Sequence, residues 1–84
     1  MPKEPKNFSK IPILDIHQST WLRLHGQEPE LTLQGTRVVF HHKATPEVYR
    51  LLNQYHENPE VKVLDFVHTL RRLRAEMLAM RGQR

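Results

Sequence analysis

The chain contains no cysteine and only three glycines in its 84 residues. Without cysteine there is no disulfide, no thiolate metal site and no thiol nucleophile. Three isolated glycines cannot build a glycine-rich loop around a phosphate chain. The six aromatics do not alternate with basic residues, which a stacking platform for single strands requires. No apolar run approaches the ~18 residues of a membrane-crossing helix. No apolar segment follows the basic start MPKEPKNFSK, so the expectation is a protein without a secretory signal, cytoplasmic, with no membrane partner. Ser9 and Ser19 lack a nucleophile-elbow context, and there is no His-Glu-x-x-His. A chain this short also has little room for a substrate cavity beside its core. The expectation is therefore a non-enzymatic protein with no cofactor and no small-molecule substrate.

What is present is charge at the two ends. The formal net charge is +4. Residues 1–10 set three lysines against Glu4, and residues 71–84 set five arginines against Glu76, while the intervening stretch is slightly acidic. Such ends suit contact with a polyanion backbone, and arginines also favour a helix C-terminus through its dipole.

The strongest periodic signal lies near the C-terminus. Phe66, Leu70, Leu73, Met77 and Met80 recur at alternating spacings of four and three, and no proline or glycine interrupts the run before Gly82. This predicts one amphipathic helix from Val63 to about Met80. Upstream, the proline- and lysine-containing residues 1–10 read as a basic arm. Ile11 to Ile16 predict a short strand. Gln18 to His25 predict a short helix stopped at Gly26, capped by Ser19 or Thr20 and anchored by Trp21. Glu30 to His42 predict a hairpin turning at Gly35, with Val38, Phe40 and His42 on one face and Arg37, Val39 and His41 on the other. Thr45-Pro46-Glu47 is a helix start, and Val48, Leu51, Leu52 and Tyr55 form its apolar stripe before Asn58-Pro59 ends it. A short extended link from Glu60 to Leu64 follows, with Asp65 as candidate cap.

These elements define a small single α+β domain over residues 11–80, with a basic tail at 81–84. Its order is β-α-β-β-α-α, a short sheet built on a hairpin and packed against two or three helices. Leu31, Leu33, Val38 and Phe40 are expected to meet Leu51, Leu52, Tyr55, Phe66, Leu70 and Leu73 in one core.

His25-Gly26, Gly35-Thr36-Arg37-Val38-Val39-Phe40, Thr45-Pro46-Glu47 and Phe66 through Arg74 together resemble a group of small bacterial and phage-encoded domains of uncharacterised function. The resemblance covers roughly residues 11–78, and the chain departs from the group in its basic arm and arginine-rich tail. It implies a phage or mobile-element setting and transfers no catalytic residue.

Two kinds of partner remain. The first is nucleic acid, held through its backbone by Lys3, Lys6, Lys10, Arg71, Arg72, Arg74, Arg81 and Arg84. The second is a protein or a second copy of the chain, held through Leu73, Met77 and Met80 at the end of the apolar stripe. Six histidines raise the question of a metal. Neighbouring His41 and His42 point to opposite faces of a strand, and no pair shares a helix face, so no metal site is expected; the histidines read as partly exposed groups titrating near neutral pH.

Overall fold

The computed structural model describes residues 9–82. The order is β1 (Lys10–Ile13), α1 (Ile16–Leu24), β2 (Glu30–Gln34), β3 (Arg37–Lys43), α2 (Pro46–Tyr55) and α3 (Val63–Gly82). This is the α+β arrangement expected from the sequence. The hairpin β2–β3 turns at Gly35, whose φ of 66° lies in the left-handed region that glycine enters without a Cβ clash. The first strand joins the hairpin on its far side, so the sheet order is β1-β3-β2, antiparallel throughout. A central third strand turns a marginal ribbon into a sheet with a face worth covering.

The face carrying Ile13, Val38 and Phe40 is that covered face. Against it lie Trp21 and Leu22 of α1, Val48 and Leu51 of α2, and Leu73 of α3, all buried. Trp21 fastens α1 to α2 by donating its indole N–H to the Leu51 carbonyl at 2.8 Å. Leu31, Leu52, Tyr55 and Phe66 pack around this cluster, as the stripes predicted. Leu33 does not join it. It stands at the open hairpin end, 38% exposed. Leu70 is only half-buried and also lies outside the cluster.

Helix boundaries follow local chemistry more closely than the apolar pattern did. The first helix begins two residues before the expected Gln18, because Asp15, not Ser19 or Thr20, is its cap: the carboxylate accepts from the His17 N–H at 2.8 Å. Ser19 and Thr20 instead turn inward and are fully buried, and the Thr20 hydroxyl donates to the Ile16 carbonyl at 2.7 Å. The helix closes at Gly26 (φ 88°), with Gly26 N–H reaching Arg23 and Gln27 N–H reaching Leu22. In α2 the predicted cap holds, with the Thr45 hydroxyl accepting from Val48 N–H at 3.2 Å and Pro46 in the first turn. Asn58, at φ 57°, reverses the chain after α2. The link that follows forms no strand, and Asp65 lies within the first turn of α3, where its charge opposes the helix dipole.

Among the described residues no helix is long and apolar enough to cross a membrane. A structural prediction concerns the spine of the core. Leu73, at 0% exposure, should cost about 2–5 kcal/mol on substitution by alanine, whereas exposed Leu78 should cost under about 0.5 kcal/mol. Urea denaturation of L73A and L78A checks this; equal losses would mean that α3 does not dock as described.

Candidate functional site

Helix α3 carries two stripes. The first, Phe66, Leu73, Met77 and Met80, faces the core. The second repeats at three and four residues as Leu64, Val67, Arg71, Arg74, Leu78 and Arg81, so it runs along a different side of the same helix. All of its members except half-buried Val67 are exposed. Arg72 lies on the opposite flank, also exposed.

The one acidic residue between Phe66 and Gly82 is Glu76. It does not balance these arginines. Its carboxylate is taken by Arg23 of α1 at 3.0 Å, and Arg23 also holds Glu28 at 3.0 Å. The Arg23 side chain is only 14% exposed and lies in the seam between α1 and α3, while both carboxylates that it meets stand at the solvent edge of that seam. Among the described residues Arg71, Arg72, Arg74 and Arg81 make no salt bridge. The outward side of α3 is thus a row of uncompensated guanidinium groups set among leucines.

The expected basic cluster is divided by the fold. Lys10 pairs with Lys43 in the sheet register and faces away from the core, opposite the side that α3 covers. Its ammonium binds Glu30 on the other edge strand, and that hydrogen bond holds the Glu30 carboxyl below its ordinary range. Lys10 therefore does not converge with the arginines of α3. Lys3, Lys6 and Arg84 fall outside the described residues. The expected apolar contact surface also changes. Leu73 is sealed in the core, which withdraws it from any surface of the folded chain, and Met77 and Met80 pack against the same cluster half-buried. The exposed apolar groups of α3 are Val63, Leu64 and Leu78 instead.

The histidines separate as the strand alternation requires, but not all are surface groups. His41 lies on the outer face, 2.9 Å from the Thr32 hydroxyl. His42 is 1% exposed, and its Nε2 shares a 2.7 Å hydrogen bond with the buried Ser19 hydroxyl. Burial pushes its pKa down to about 4; neighbouring His41 works in the same direction and the Gln27 backbone against it. The pair has the elements of a nucleophile and a base, yet both are closed off from solvent and no carboxylate meets Nδ1. It clamps β3 to α1. Sequence reasoning missed it, and the only available signal was that residue 42 shares a strand face with Val38 and Phe40. Among the described residues no group of three or more histidines and carboxylates converges as a metal site would require.

No protein-family model, curated protein or solved structure matches the chain.

The His42 clamp has a pH signature. A histidine whose pKa falls on folding stabilises the folded state fully above its ordinary value near 6.5, and that contribution is lost as pH falls toward 4. The full loss is on the order of 3 kcal/mol. Urea midpoints should fall between neutral pH and about pH 5, above the carboxylate range, and the His42→Gln chain should lose most of that slope. An imidazole NMR titration placing His42 near its ordinary value would contradict the clamp.

Proposed function

We propose that the protein is a non-enzymatic nucleic-acid-binding domain that grips the phosphate backbone with the outward side of α3. The observation that carries this reading is that Arg71, Arg74 and Arg81 share one exposed side of α3 and, among the described residues, make no salt bridge. Arginine is suited to phosphate because its planar fork donates two parallel hydrogen bonds. Arg81 lies ten positions after Arg71, so these guanidinium groups are spread over roughly 15 Å of helix. Backbone contacts of this kind position a protein without reading sequence, so binding is salt-sensitive and weakly specific. Arg72 on the other flank, and the positive charges of Lys3, Lys6 and Arg84, belong to the same reading. A cytoplasmic location belongs to the same reading.

The exposed Val63, Leu64 and Leu78 favour a second reading, contact with an acidic protein along the same side of α3. A second copy of the chain fits that side poorly, since it would bring arginine against arginine.

Fluorescence anisotropy with a labelled DNA duplex, titrated with salt, tests the proposal. Three phosphate contacts predict a slope of log K against log salt of about −3, and Arg71→Gln with Arg74→Gln should reduce it to about −1. No binding at low salt, or a slope unchanged in the double variant, would refute it.

A further inference from the structure

The hairpin end of the sheet offers a second kind of contact, built from backbone. Strand β1 ends at Ile13, opposite Phe40, whereas β3 begins three residues earlier, at Arg37. Ala44 N–H donates to the Ser9 carbonyl at 2.7 Å, which sets the alternation along the β1–β3 pair. Residues 40, 42 and 44 of that strand turn their N–H and C=O toward β1, and 37, 39 and 41 turn theirs toward β2. Pro12, opposite His41, falls at a position that makes no ladder bond, so its missing N–H costs the sheet nothing. Val38 is next in the first series. Its N–H and C=O are directed to the side where β1 has already given way to Leu14 and the start of α1.

A groove of about 560 Å³ lies on that side. Leu14 and Met77 line it, with buried Phe40 behind them, and Arg37 and Arg81 line it as well. Among the described residues no carboxylate lines it. A smaller groove of about 300 Å³ adjoins it, sharing Thr36 and Arg81. An open strand edge, an apolar wall and paired arginines are the three features that an extended anionic peptide matches at once.

We propose that this groove docks a short extended peptide segment bearing a carboxylate. The segment continues the line of β1 and exchanges hydrogen bonds with the Val38 N–H and C=O. It lays an apolar side chain against Leu14 and Met77 and places its carboxylate between Arg37 and Arg81. A nucleotide fits less well, because Phe40, the one aromatic residue that lines the groove among the described residues, is 1% exposed and offers no face for a base to stack on. Arg81 belongs to both surfaces, whereas Arg71 and Arg74 serve the nucleic-acid reading alone and Arg37 serves the groove alone, so variants at those three positions tell the two apart.

The test uses the full chain with three probes: a short acetylated peptide of alternating leucine and aspartate, its leucine–lysine counterpart, and a thymidine oligonucleotide. Amide hydrogen exchange read by NMR should show the Val38 amide slowed about tenfold or more by the leucine–aspartate peptide and not by the others. Arg37→Gln with Arg81→Gln, both at exposed positions, should weaken that peptide about tenfold to a hundredfold. Arg71→Gln with Arg74→Gln should leave its affinity unchanged. Equal binding of the leucine–lysine peptide, binding without protection at Val38, or protection by the oligonucleotide alone would overturn the proposal.

Discussion

Arg23 ties the last helix of this chain to its first. A guanidinium that is mostly buried must be paired, because leaving such a charge without a counter-ion costs several kcal/mol. Here Glu28 and Glu76 meet that need, and the second of them draws α3 against α1. Glu76 stands on the flank of α3 opposite Arg71, Arg74 and Arg81, one turn from Arg72. The interaction helps to seat the long helix along one flank, and the other flank carries arginines with no acidic residue among them.

A chain of 84 residues has few elements with which to do both jobs. Its sheet has one covered face, and α1 and α3 must supply the cover, with α2 locked to α1 through the Trp21–Leu51 hydrogen bond. The long helix is therefore partnered along one side only. Its outward side is neither a plain solvated face nor a second core face: Leu64 and Leu78 alternate with arginines there. Solvated faces of small proteins usually mix both signs of charge, and a one-sign row with exposed leucines departs from that pattern. At the hairpin end, the short reach of β1 leaves part of β3 with a neighbour on one side only. Both features are places where the fold stops short of satisfying itself.

Much of the architecture was legible because local signals agreed. Gly35 between alternating strands, Thr45-Pro46 before a two-turn stripe, and the uninterrupted run after Val63 each point one way, and each formed as read. The misreadings share a cause. Ser19 and Thr20 are good caps by propensity, but Asp15 lies one turn earlier and has the same chemistry, which freed the two hydroxyls to face the core. Burial of His42 depended on a serine twenty-three residues away, a pairing that no spacing announces. Lys10 read as part of a basic arm until strand pairing set it across from Glu30. For α3 the arginines were visible, but their second heptad-like stripe was hidden behind the first, since Leu70, Leu73 and Leu78 look alike until packing separates them. The fate of Glu76 was not legible at all.

The most direct test of the outward arginine row is residue-resolved. A heteronuclear NMR titration of the labelled chain with an unlabelled DNA duplex at low salt locates the contact without any substitution. Binding through the outward side of α3 predicts shift changes concentrated at Arg71, Arg74, Leu78 and Arg81, with the outer sheet residues His41 and Lys43 unmoved. Changes gathered around Lys10, His41 and Lys43, or no changes on α3, would contradict it.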